Sequence, residues 1–193
     1  PNRSGGRFNE PFSQATQYLC LHPLGPWAEM ARALERQLGR PLTEPELAEL
    51  DPARRYWLLR LPELEVFDLG FDSAAEVGLS PLDLVDDDHT ACRRAARLHG
   101  RRLGAWRYPN AALPGTFNLA VFGERRLTSF DAQATATAWP GVLAADLARM
   151  PREVLPLVRH LGGSRRSHPA VRAWRSGVPL RVPQPLRFRW PRD

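Results

Sequence analysis

The sequence predicts a single mixed α/β domain, built from short-stranded mixed sheets with flanking helices. Three observations predict it. Short aromatic and β-branched runs alternate with segments of helical period, and Gly or Pro punctuates nearly every junction. A chain of 193 residues with 43% hydrophobic content suffices for one core and falls short of two independent ones.

Each element can be justified in order. Residues 1–16, rich in Gly, Asn, Ser and Pro, read as an irregular loop. QYLCL at 17–21 alternates as a short strand, with Tyr18 and Cys20 on one face and Leu19 and Leu21 on the other. The turn from His22 to Pro26 opens a helix over 26–38, where Pro26 suits the first helical position and Gly39 stops the run. Trp27, Met30, Ala31, Leu34 and Leu38 supply its apolar face. Residues 40–53 are polar and Glu-rich, a surface loop or short helix. RYWLLRL at 55–61 and LEVFDL at 64–69 read as strands split by Pro62.

A short helix around Ser73 to Val77 ends at Gly78. Asp86, Asp87 and Asp88 favour a helix start, after which Ala91, Ala95 and Leu98 give the apolar positions and Gly100 closes the helix. LGAWRY at 103–108 is a strand, PNAALPG at 109–115 a turn, and TFNLAVF at 116–122 another strand. From Thr128 onward the texture changes. Helical segments are expected around 141–149 and 151–161, and the last thirty or so residues, dominated by Arg and Pro, bury little apolar surface of their own. The division is therefore a core over 1–127 and a helical, Arg/Pro-rich extension over 128–193, packed on the core or extending from it.

The charge of +6 and pI of about 10.5 admit nucleic acid, a phosphate-rich metabolite or an acidic protein as partner. All 27 of the Lys and Arg positions are Arg, so any phosphate would be met by planar, bidentate guanidinium groups. No apolar run approaches membrane-spanning length and the N-terminus has no hydrophobic stretch, so a cytoplasmic protein without membrane contact is expected. Cys20 and Cys92 stand far apart, the His residues are scattered, and no metal-ligand spacing is present. Ser129 and Ser164 lack the setting of an activated nucleophile.

Taken alone, the polar residues of the first third have ordinary readings. Glu29 lies opposite the apolar stripe of its helix, near Arg32 and Arg36, as a solvated ion-paired glutamate would. Arg7 is a loop arginine, Tyr18 a strand residue, and Asn110 a turn-former.

Their order changes that reading. GGRFN at 5–9, Tyr18 in QYL, Glu29 in WAEM and YPNAALPGTFNLAVFG at 108–123 together resemble the RES family. Its members show a GGR-aromatic-N loop, a tyrosine strand, a glutamate helix and a PSAALPG-like turn leading into an NLVVF-like strand. The segment from Asp68 to Gly100 is similar to the family's spacer, and the resemblance spans roughly 3–123. Two departures stand out: Asn110 occupies the place of the family's serine, and the chain starts almost at the GGR loop, which implies a shortened front wall.

The resemblance implies an ADP-ribosyltransferase-like fold and a toxin that consumes NAD+, by phosphorolysis or hydrolysis of the nicotinamide–ribose bond. Transfer of ADP-ribose to a protein, a basic nucleic-acid-binding module and an inactive relative are the alternatives. It implies no cofactor and no metal, inorganic phosphate as a co-substrate, a cognate antitoxin as partner, and no direct role for nucleic acid. The implied catalytic residues are Glu29, Arg7 and Tyr18, with Gly6, Phe8, Asn9 and Asn110 binding substrate. Cleavage leaves positive charge on the ribose, so a carboxylate at Glu29 would stabilise it, Arg7 would meet the diphosphate, and Tyr18 would offer a flat face and a hydroxyl.

Overall fold

A computed structural model describes residues 5–46, 54–59, 64–123, 142–148 and 150–182, with the strands at 54–59 and 142–148 described by backbone alone. The elements are β1 (Thr16–Cys20), α1 (Gly25–Leu38), β2 (Arg54–Leu59), β3 (Val66–Asp68), α2 (Thr90–Leu103), β4 (Ala105–Pro109), β5 (Phe117–Phe122), β6 (Val142–Ala148) and α3 (Pro169–Ser176). Short 3-10 turns lie at Ala74–Val77, Pro81–Leu84, Arg152–Leu157 and Arg165–Ser167. Among the described residues, no helix is long and apolar enough to cross a membrane.

The mixed α/β class is as the sequence predicts. Four strands form a sheet in the order β1-β5-β4-β3, antiparallel except for β3 beside β4. A second, two-stranded sheet pairs β2 with β6, antiparallel. The register aligns Cys20, Asn118 and Tyr108 in one row and Tyr18, Ala120 and Trp106 in the next. Alternation puts all six on one face of the sheet.

That face carries the main core. Phe8 is 1% exposed and meets Trp106 and Tyr108 edge-on, with ring centroids 5.2 and 4.8 Å apart. Cys92, Ala95 and Ala96 of α2 close over it. A second cluster joins Leu24 and the α1 residues Trp27, Ala28 and Ala31 to Ala112, Leu113, Met150, Val154 and Val158, so residues beyond position 128 pack against the first helix.

Several elements differ from the sequence expectation. The 142–148 segment, read as helical, is the strand β6, because pairing along β2 satisfies its backbone and overrides the helix propensity of an Ala-rich stretch. The α2 helix runs through Gly100 to Leu103 and ends at Gly104, whose φ is 70°. Gly100 is a packing glycine: a Cβ there would lie 3.1 Å from the Phe122 ring and the Gln14 amide. Residues 152–157 form a 3-10 turn that stops before 161, since Pro156 has no N–H to continue it.

The Arg-rich end is also partly built in. His168 caps α3 by accepting from the Ala170 N–H at 3.2 Å, Val171 is fully buried, and Trp174 stacks on Phe71 at 5.4 Å. Residues 183–193 of that end lie outside the described residues, as do Pro62 and Ser129.

Candidate active site

The loop at 5–9 is held by its neighbours before it meets anything else. Gly6 N–H donates to the Asn9 carbonyl at 2.9 Å, and the Gly6 carbonyl accepts from Arg93 Nε at 2.9 Å. Gly6 lies directly against Tyr18, and a Cβ there would come within 2.7 Å of the tyrosine hydroxyl and ring. The Tyr18 hydroxyl accepts from Phe8 N–H and donates to Asn9 Oδ1, each at 2.8 Å. Burial of that hydroxyl pushes its pKa up to about 12, against the opposing pull of Phe8 N–H and of Arg7 and Arg93. The hydroxyl is thus committed to the loop, while part of the ring stays exposed, the residue being 36% accessible.

Arg7 spans the gap between the loop and the segment before α2. Its Nη1 and Nη2 donate to the carbonyls of Asp83 and Asp86, each at 3.0 Å. An anion would have to be met by its remaining N–H groups. Phe8 belongs to the core, and Asn9, 2% exposed, accepts from the Tyr18 hydroxyl through Oδ1 and donates Nδ2 to the Glu10 carbonyl at 3.1 Å. Both residues therefore reach the site through the groups they support.

Glu29 sits on the open side of α1, as its spacing predicts, but its partner differs. Asn118 Nδ2 donates to Glu29 Oε1 at 3.0 Å, across 89 residues of sequence. The expected neighbour Arg32 is 4% exposed and pairs instead with Asp87. Among the described residues Glu29 makes no ion pair, so its charge is held by an uncharged amide. That charge is felt by the groups around it. Burial and then Glu29 raise the Cys20 thiol to about 12, keeping it protonated, and both also raise the Tyr108 phenol.

Tyr108 is buried on the same face. Burial raises its phenol well above the ordinary value, with the Glu29 charge adding to the rise and Arg7 opposing it. By register Tyr108 lies beside Asn118, the partner of Glu29, on the sheet face that also carries Tyr18. Asn110, fully buried, does not line this space: its amide is used by the backbone of Ala112 and Leu113 and by Asn118.

Sequence reasoning missed Asn118, Tyr108 and the basic surroundings of His89. Burial, followed by Arg7, Arg36, Arg93 and Arg32, lowers the His89 pKa to about 3, so its imidazole is neutral within a ring of guanidinium charge. One signal for Asn118 was available, since an asparagine within the strand FNLAVF runs against strand propensity. The acidic run was read as a helix-dipole feature, yet only Asp88 bonds the helix start, through Thr90 N–H at 2.9 Å and its hydroxyl at 2.6 Å. Asp87 pairs with Arg32, and Asp86 with Arg165 at 2.5 Å. Among the described residues no group of three His, Cys, Asp or Glu could hold a metal ion.

A mixed sheet carrying Tyr18 and Asn118 on one face, with the helix glutamate Glu29 bonded to Asn118, defines a small α/β domain. The RES domain family matches residues 1–143, and the chain belongs to that family. Its fold is similar to that of a chain in the crystal structure of the M. tuberculosis MbcT–MbcA toxin–antitoxin complex, with a TM-score of 0.56 and 22% identity over 81% of this chain and 78% of that one. No curated protein matches the chain.

Proposed function

We propose that this chain is an NAD+-consuming toxin that breaks the bond between nicotinamide and ribose. Family membership supports the reading, and one observation carries it: an open carboxylate, Glu29, held by a neutral amide while Arg32 is engaged by Asp87. A carboxylate neutralised by Arg32 would offer little to a developing cation. One held by Asn118 keeps its full charge for the ribose as the bond breaks.

In the proposed reaction the glycosidic C–N bond breaks and its electron pair leaves with neutral nicotinamide. The ribose carbon then bonds to an oxygen of inorganic phosphate or water, giving ADP-ribose 1-phosphate, or ADP-ribose and a proton. The Tyr18 ring would form a wall for the substrate and the remaining Arg7 N–H groups would meet its diphosphate, with Gly6 letting the loop approach. Phe8, Asn9 and Asn110 would support these groups from behind. No cofactor enters the scheme. The complex in which the similar fold occurs motivates a cognate antitoxin as the protein partner.

Incubation with NAD+ labelled in the ADP-ribose half, with and without phosphate, tests the proposal. Free nicotinamide with labelled ADP-ribose, or with its phosphate only when phosphate is added, is the expected result and identifies the acceptor. Label on a macromolecule would replace cleavage by protein ADP-ribosylation. Intact NAD+ under both conditions would overturn the reading.

A further inference from the structure

The PNAALPG turn and the glutamate helix are connected by a chain of hydrogen bonds whose polarity is fixed at one end. Asn110 Oδ1 accepts two backbone N–H groups, from Ala112 at 2.8 Å and Leu113 at 2.9 Å. Only an oxygen can do so, which turns Asn110 Nδ2 away from the turn and toward Asn118 Oδ1 at 2.9 Å. With its oxygen so used, Asn118 must present its NH2 group to Glu29 Oε1 at 3.0 Å. Two amides that could otherwise rotate by half a turn are thereby locked in the one orientation that offers a donor to the carboxylate.

The surroundings make the lock stiff. Asn110 is 0% and Asn118 5% exposed, so water does not compete for either amide. The turn is closed by Asn110 N–H to the Thr116 carbonyl at 3.0 Å and by the Thr116 hydroxyl to the Leu113 carbonyl at 2.8 Å. Helix α1 approaches closely because its first residue is glycine. A Cβ at Gly25 would lie 2.8 Å from Cys20 Cβ and 3.3 Å from Asn110 Nδ2. Glu29 stands one turn farther on the same helix face, directly over Asn118.

We infer that Asn110 and Asn118 are positioning residues, a relay that carries the backbone polarity of the turn to the Glu29 carboxylate and fixes where its charge points. This inference rests on the proposed role of Glu29 in NAD+ cleavage. It gives residue 110 a task that needs no contact with substrate. An asparagine suits it, having one acceptor for the turn and one donor for the strand.

Two isosteric substitutions test the relay. Asn118→Asp keeps the acceptor for Asn110 and deletes the donor to Glu29. Asn110→Asp keeps the acceptor for the turn but offers Asn118 a second acceptor, so the Asn118 amide rotates and turns its oxygen on Glu29. Each variant is expected to lose about 10- to 100-fold in kcat for nicotinamide release, with KM changed by less than about 3-fold. Both are first checked for cooperative thermal unfolding. A purely structural role would move stability without this split.

A second readout needs no turnover. In the NAD+-free protein, the side-chain amide resonances of Asn118 should shift in Glu29→Ala relative to the parent, because the carboxylate to which the amide donates is gone. An Asn118 amide indifferent to Glu29 would overturn the relay whatever the enzyme does. Folded Asn118→Asp with parental kcat, beside an inactive Glu29→Ala, would overturn positioning and leave the proposed function standing. A parent that releases no nicotinamide while the Asn118 resonances respond would instead remove the function and keep the relay.

Discussion

Replacing Gly6 by Ala probes the contact on which the tyrosine's placement depends. The added methyl would sit 2.7 Å from both the hydroxyl and Cε2 of Tyr18 and 2.8 Å from Asn9 Oδ1, where ordinary contact begins near 3.4 Å. Loop or ring must therefore move by about 0.7 Å, and overpacking of this kind costs about 1–3 kcal/mol. Gly6 does not have a positive φ, so the backbone itself accepts alanine. The less flexible unfolded chain then returns about 0.4–1 kcal/mol, leaving a net loss of about 1.3 kcal/mol at the midpoints of the two ranges. Tyr18→Phe separately gives up the bonds to Phe8 N–H and Asn9, for about 1–2 kcal/mol. Combining the two removes one of the clashing atoms, so the double variant should be more stable than the sum of the singles by about 1 kcal/mol. Urea unfolding of the four proteins measures the coupling, and nicotinamide release should fall with Gly6→Ala. Costs that add to within about 0.5 kcal/mol would refute the idea that Gly6 is there to seat Tyr18.

Other consequences follow from buried charge and capping. Burial, ahead of a hydrogen bond to the Ala111 carbonyl that opposes it, lowers the His168 pKa to about 4. A histidine depressed on folding contributes stability fully present above its ordinary value of 6.5 and lost as pH falls toward 4, worth about 3 kcal/mol across that window. His89, lowered to about 3, acts in the same direction. In His168→Asn the cap on Ala170 is kept and the acid loss between those limits shrinks by about that amount, as unfolding free energies measured along a pH series would show; an unchanged slope would count against it. Asp87→Ala strands the buried Arg32 guanidinium, and with Asp87 itself partly in water the cost should be about 2–3 kcal/mol in chemical unfolding. A loss below about 0.5 kcal/mol would mean that Arg32 finds another partner.

The parts of the fold that local chemistry dictates were legible in the sequence. Pro26 and Gly39 bracket α1, the alternation of QYLCL puts Tyr18 and Cys20 on one face, and the PNAALPG turn separates β4 from β5 as expected. Arg7, Tyr18 and Glu29 were picked out through the order of their motifs, and Tyr18 and the partner of Glu29, Asn118, lie on one sheet face. What local pattern did not reveal depends on partners far along the chain. Glu29 meets Asn118 across 89 residues and Arg32 meets Asp87 across 55, so periodicity left Arg32 as the natural partner of Glu29. The strand β6 has its extended form because β2 is beside it, and its own composition argues for a helix. Gly100 illustrates the same limit, as its role is to let α2 approach Phe122 rather than to end the helix.

The most direct measurement is the rate at which purified protein releases nicotinamide from NAD+, compared between the parent and Glu29→Gln, which matches the side chain in shape and removes its charge. The account predicts turnover by the parent and a loss on the order of 100-fold or more in the variant. Equal release by the two proteins would contradict it.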